Sequence, residues 1–176
     1  MNHDAAGEVV AEGTVEVPFT VLIPARVAAR PAGSPPVRVM QFGHGFFGHR
    51  TEILGDIDEV ADKWGYIVVA ADGWGMADTD RGVLAESLGT DAKTARGFID
   101  RVHQGMANFI TLSEAVRTVL PSVPELQIGG ETVLDGDLLF FYGISQGAIL
   151  GGTFMALTPH ISRAAFSVGG AHFSLM

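Results

Sequence analysis

Two glycine-framed turns hold the residues best suited to chemistry. Gly143-Ile144-Ser145-Gln146-Gly147 sets a serine between glycines, after the apolar run "LLFFYG" (138–143) and before "SQGAILGGTFMALT" (145–158). A serine at a sharp strand-to-helix turn is lifted above the sheet as a nucleophile. The residues two before and two after it must then lack side chains, and Gly143 and Gly147 satisfy both. The same turn leaves the N–H of Gln146 at a helix start, where the dipole favours negative charge. Upstream, "QFGHGFFGHR" (41–50) reads in two ways. Gly43, Gly45 and Gly48 spell G-x-G-x-x-G, a phosphate-cradling turn, whereas His44-Gly45-Phe46 spells a His-Gly-X turn whose backbone can bind an oxyanion.

The two turns explain each other. Both would leave the carboxyl edge of a parallel sheet, and acyl transfer needs two N–H donors converging on one oxygen. Gln146 offers one and Phe46 the other, with Phe47 as the alternative. In favour of a dinucleotide site, Asp72 ends the next strand 24 positions after Gly48, close to the spacing of a ribose-binding carboxylate. Against it, two strand-like segments precede the supposed first strand, and Phe46-Phe47 is bulky where a pyrophosphate must approach. His44 fits a loop-shaping residue bonded to backbone better than it fits a base. Phe46, Phe47 and Trp74 could form an apolar pocket for an uncharged ester, or be ordinary packing.

The elements that must position these turns follow from periodicity. Residues 9–25 suggest two antiparallel strands, paired with each other at a sheet edge, and "RPAGSPP" (30–36) is a loop. "VRVMQF" (37–42), "YIVVAAD" (66–72), "LLFFYG" (138–143) and "RAAFSVGG" (163–170) read as strands, mostly buried. A helix follows the first glycines, with Ile53, Ile57, Val60, Ala61 and Trp64 on one face, Thr51 as N-cap and Gly65 as its stop. Residues 73–98 lack strong periodicity. A long helix runs from about Ile99 to Leu120 along Val102, Met106, Phe109, Leu112 or Ser113 and Val116, and Pro121 ends it. In the helix after Ser145, Gly151 and Gly152 allow close packing on the sheet. Alternation from residue 37 onward implies α/β architecture: a mostly parallel sheet with helices on both faces.

Composition narrows the function classes. The chain has 176 residues, 47% of them hydrophobic and 18% charged, as suits one globular domain with a sizeable core. Eleven basic and 20 acidic residues give a net charge of −9 with no basic cluster, which disfavours nucleic acid and anionic membrane surfaces. The absence of cysteine excludes disulfides, thiolate metal sites and a cysteine nucleophile. No apolar run approaches a membrane span. No signal peptide is visible, so the chain reads as cytoplasmic, or as secreted or periplasmic if a signal was removed. Asp56/Asp58 and Asp78/Asp80 fit helix-start charges and solvated loop carboxylates better than a cation site.

From about residue 15 onward the chain resembles an α/β-hydrolase, and within that superfamily it is similar to bacterial lipases and esterases with a His-Gly-X oxyanion loop. The antiparallel strands, "QFGHGFFG", "KWG", "YIVVAADGWG" and "YGISQGAILGG" carry the likeness. It implies that 37–42, 66–72, 138–143 and 163–169 are the third to sixth strands of that fold, with the last two strands lacking. Residues 1–176 would then be a single incomplete domain: 1–36 the N-terminal strands and loop, 37–176 the βαβ core. The resemblance also implies acyl-ester hydrolysis on a small-molecule or lipid ester, without cofactor. Ser145 would be the nucleophile and Phe46 and Gln146 the oxyanion donors, with His44, Gly45, Gly143 and Gly147 supporting the motifs.

A triad in this superfamily runs serine, acid, histidine, yet the 31 residues after Ser145 contain neither Asp nor Glu. Their two histidines fit poorly as the base. His160 reads as a surface-loop residue, and His172 comes too early. The expectation is a complementary C-terminal half, in a separate chain or in further sequence, that supplies the acid and the base. A self-sufficient small hydrolase with an unorthodox base is another reading. Two further alternatives are a catalytically dead hydrolase fold serving binding or assembly, and an NAD(P)-binding domain.

Overall fold

The computed structural model describes residues 2–55, 57–89 and 92–170, so Asp56 and His172 lie outside the described residues. Five strands form the main sheet: β1 (Phe19–Leu22), β2 (Val37–Gly43), β3 (Ile67–Ala71), β4 (Leu134–Ile144) and β5 (Ala164–Ser167). Their spatial order is β1-β3-β2-β4-β5. β1 runs antiparallel to β3, and every other pairing is parallel. The α/β expectation holds. The two early strands do not pair with each other: Val9–Val10 pairs with Asn2–His3, while β1 alone joins the sheet. Loose alternation located both segments but could not name their partners.

The period of two along each strand assigns residues to faces. Val39 of β2, Ile67, Val69 and Ala71 of β3, and Leu139 and Phe141 of β4 belong to one core. Against it pack α3 (Ala92–Thr118), through Leu112 and Val116, and α4 (Gln146–Leu157), through Phe154. Phe42, Val68 and Ala70 face the other way, onto Ile53 and onto Ile57 and Ala61 of the α1 region (Asp58–Trp64). All five residues of β3 are buried, as a continuous apolar run on a two-sided parallel sheet requires. Burying each of its Ile and Val side chains contributes about 1.5–3 kcal/mol relative to leaving it exposed.

Several boundaries differ from the sequence reading. The first helix is split into a 3₁₀ turn (Arg50–Leu54) and α1, and His49 rather than Thr51 sits at the cap. Gly55 separates the two pieces. Gly65 does stop α1, in the left-handed conformation at φ 67°. Val60 and Trp64 are exposed while Ile53, Ile57 and Ala61 are buried, so the apolar stripe is narrower than the spacing suggested. The stretch 73–98 contains a 3₁₀ turn (Asp78–Asp80), α2 (Arg81–Gly89) and the start of α3. Val83 on α2 is exposed, so this helix shows no strong apolar periodicity. Among the described residues β5 has a neighbour on one side only; Phe166 within it and Val168 just after it are 50% and 78% exposed.

Candidate active site

Ser145 stands between β4 and α4 at φ 53° and ψ −117°, a conformation that L-residues seldom adopt and that must be held by its surroundings. Its backbone is anchored at both ends. The N–H donates to Ser167 O at 2.9 Å, and the carbonyl accepts from the N–H groups of Ala148 and Ile149. The hydroxyl has no partner among the described residues. As the first residue of α4, Gln146 has no intrahelical acceptor for its N–H.

Three glycines allow the two turns to meet. Gly43 and Gly143 are partners across β2 and β4. A Cβ on Gly143 would strike the Gly147 carbonyl. One on Gly147 would strike the Gly43 carbonyl and come within 2.7 Å of His44 O, and one on Gly43 would lie 3.3 Å from Gly147 Cα. The turns therefore pack backbone against backbone. Gly45 rests on the serine, its missing Cβ position 3.7 Å from Ser145 Cβ.

The 45–48 turn closes with Gly48 N donating to Gly45 O at 3.0 Å, leaving Phe47 at φ 55°. That positive φ on a bulky residue is uncommon and is normally filled by glycine. The Phe47 N–H donates to Met76 O at 2.8 Å, and Asp78 N donates to Gly48 O at 3.0 Å. Phe47 is thereby removed as a donor to any ligand. The Phe46 N–H has no acceptor among the described residues. The Gln146 N–H likewise has no acceptor among the described residues, so each of the two turns keeps one unpaired backbone donor.

His44 is 3% exposed and uses both ring nitrogens on backbone. Gly73 N donates to Nε2 at 2.7 Å, which leaves Nδ1 carrying the proton and donating to Gly45 O at 2.8 Å. It shapes the loop, as the sequence reading favoured. Asp72, the ribose-binding candidate, is instead bonded by Arg50 through both the backbone N–H and the guanidinium, each at 2.7 Å. The glycine turn leads to a 3₁₀ turn and lies against Ser145, so the dinucleotide reading loses both its carboxylate and its helix start.

Asp80 corrects another expectation. It is buried, not a solvated loop carboxylate: Oδ2 accepts from Gly75 N and Ala77 N, and Oδ1 is paired with Arg101. Arg101 also stacks on Trp74 at 4.9 Å. Gly105 of α3 meets the Trp74 backbone, where a Cβ would come within 2.7 Å of its carbonyl. Asp80, Arg101 and Gly105 were missed because their partners are distant in sequence. An Asp closing a Gly-rich loop before a helix was the available signal. Among the described residues no cluster of His, Asp or Glu could hold a metal ion, and no helix is long and apolar enough to cross a membrane.

Trp74 lines a cavity of about 30 Å³ beside the serine turn, with Met106, Phe109, Leu150 and Phe154. Phe46 and Phe47 do not line it: their rings lie 4.0 Å apart outside it, Phe46 exposed and Phe47 beneath the Arg81 guanidinium. Gly151 packs between Phe141 and Phe166, whereas Gly152 faces open space. His160 is half-buried and paired with Glu114 at 2.7 Å and with Arg117 at 2.9 Å. It lies beyond the far end of α4, about 18 Å along the helix from Ser145 at 1.5 Å per residue.

No family model and no curated protein matches this sequence. Among solved structures the chain is similar to a candidate dienelactone hydrolase from Klebsiella pneumoniae subsp. pneumoniae MGH 78578. The TM-score is 0.52 at 14% identity, covering 88% of this chain and 62% of that one. It is also similar to BpoC, a candidate non-heme bromoperoxidase from Mycobacterium tuberculosis H37Rv, with TM-score 0.51 at 14% identity, covering 95% of this chain and 47% of that one. Both have the α/β-hydrolase fold. The chain thus spans from about half to just under two thirds of the length of these structures.

Proposed function

We propose that this chain, whose fold is that of the α/β-hydrolases, carries the nucleophile half of a serine hydrolase acting on carboxylic esters. The observation that carries the reading is Ser145 itself. Its strained φ of 53° is held by glycines 43, 143 and 147, and among the described residues its hydroxyl and the N–H groups of Phe46 and Gln146 have no partner. Strain of this kind is retained where a function needs it.

In the proposed reaction Ser145 Oγ attacks the ester carbonyl, and its proton passes to a histidine. The carbonyl oxygen becomes an oxyanion bonded by the N–H groups of Phe46 and Gln146. The alcohol leaves with the histidine's proton, and a water, deprotonated by the same histidine, releases the acid and regenerates the serine. No cofactor enters these steps.

The base and the acid that orients it would come from sequence outside the described residues. His44 is committed to Gly73 and Gly45, His49 contacts Thr51, His160 is paired with Glu114, and His103 is exposed on α3. A complementary segment, in another chain or in further sequence, would supply both groups, and the one-sided apolar edge at β5 supports a neighbour there. The same lack of a bonded histidine favours a second reading, a hydrolase fold retained for binding or assembly.

Intact-mass spectrometry of the purified protein, with any chain that accompanies it, after fluorophosphonate treatment separates the two. One adduct on this chain, abolished by Ser145→Ala, is the expected result. No adduct in an assembly that holds a histidine-bearing partner would leave the binding module.

A further inference from the structure

The sheet face that carries α1 is only half covered. α1 lies over β2 and β3, through Phe42, Val68 and Ala70. Beside it Met40, Phe140, Tyr142 and Ala165 floor an open groove of about 520 Å³, walled by Ile57 and Val60 of the α1 region. Ala165 and Val60 are exposed. The uncovered strip is β4 and β5, two strands at about 4.8 Å each, close to the roughly 8–10 Å that one helix occupies beside another. From Arg163 to Ser167 the strip runs about 13 Å at 3.3 Å per residue, the length of about nine helical residues.

Two cations stand at the amino end of this strip, Arg38 of β2 and Arg163 just before β5, and both line the groove. Both are exposed, and among the described residues neither forms an ion pair. Arg38 rests on the Tyr66 ring at 5.5 Å. Asp135, opposite Arg38 in register, spends one carboxylate oxygen on the N–H groups of Asp137 and Leu138. Arginines without acids around an apolar floor stand out in a chain of net charge −9. A helix set beside α1 and running the same way would end at these arginines, and cations favour the end of a helix where carbonyls are free.

We propose that the groove docks an amphipathic helix of about three turns, with carboxylates in its last turn paired with Arg38 and Arg163. That this helix belongs to the segment bringing the base rests on the hydrolase reading above; the groove and its charges do not.

The test uses the full chain with methionine methyl groups labelled with ¹³C, and Met40→Leu assigns the Met40 signal. Two lactam-stapled helical peptides of about three turns share one leucine stripe and carry either two glutamates or two lysines in the last turn. The expected result is a Met40 shift by the glutamate peptide with a Kd at least about threefold lower than the lysine peptide's, the gain of two exposed ion pairs. High salt should narrow the gap. The net charge of −9 attracts the lysine peptide overall, so a glutamate preference reports the two arginines. Arg38→Gln combined with Arg163→Gln should remove that preference, and Ala165→Asp should weaken both peptides. Equal or tighter binding of the lysine peptide would overturn the acid recognition, and no Met40 shift with either would overturn the helix docking. A Met40 shift that grows with protein concentration alone, with a dimer mass in ultracentrifugation, would overturn it in favour of a second copy of this chain. Fluorophosphonate labelling of the protein with any chain that accompanies it reports on the hydrolase reading separately. Glutamate-selective docking without labelling would remove the link to the base and leave the interface standing.

Discussion

Asp80→Ala is the substitution whose cost follows most directly from the coordinates. It deletes a carboxylate that is 1% exposed and leaves two backbone donors, Gly75 N and Ala77 N, without acceptors in a buried loop. Each unsatisfied donor costs about 1–3 kcal/mol. Arg101, with its side chain 36% exposed, can recover water, so the lost ion pair adds little. The expected loss is about 2–6 kcal/mol, a large share of the roughly 5–15 kcal/mol available to a domain. For a chain of this size it lowers Tm by roughly 2–4 °C per kcal/mol, or on the order of 10 °C. Urea denaturation of wild type, Asp80→Ala, Arg101→Ala and the exposed control Asp78→Ala gives the comparison. Asp80→Ala should be the most destabilised and Asp78→Ala within about 0.5 kcal/mol of wild type. Loss at Arg101 equal to or larger than that at Asp80 would refute the argument, because the ion pair rather than the backbone donors would then be holding the loop.

Gly147→Ala should cost at least about 3 kcal/mol, since the added Cβ meets the Gly43 and His44 carbonyls and neither turn can retreat; chemical denaturation measures this, and labelling of Ser145 should be lost with it. His44→Leu leaves Gly73 N without its acceptor and removes one of the two donors to Gly45 O, so a destabilisation of about 1–3 kcal/mol is expected together with slower fluorophosphonate labelling; unchanged labelling would show that the oxyanion turn holds its shape without the histidine. Gln146→Leu removes a buried amide oxygen that has no partner among the described residues and keeps the backbone N–H, so thermal unfolding should move up, not down.

The legible parts of the site were those whose reasons are local. Gly143 and Gly147 flank Ser145 because backbone must pass backbone there, and a spacing of two residues on each side records that constraint. The buried strands were legible for a similar reason, since an apolar run such as 67–71 has few other uses. What stayed hidden depended on distant partners or on polar surfaces. Asp80 looks like any loop carboxylate until Arg101, 21 residues away, is seen beside it. α2 offers no strong apolar stripe, so 81–89 read as loop. Phe47 was the opposite case: its positive φ contradicts local preference, and its own bond to Met76 O and the Asp78 bond to the adjoining Gly48 O, both across the neighbouring loop, impose it.

The backbone contact between the glycine turns also sets the order in which the site can come apart. Gly43, Gly143 and Gly147 bridge β2, β4 and the first turn of α4, so neither turn can open without separating central strands. The hydrogen-bonded amides of Ser145, Ala148 and Ile149 should then exchange only through openings close to global unfolding. The Asp78–Asp80 turn and α2 lie outside that contact and should exchange through smaller, local openings. Ser145 would keep its geometry while the segment flanking Trp74 breathes, so ligand access to the cavity could vary on a timescale that leaves the serine turn undisturbed.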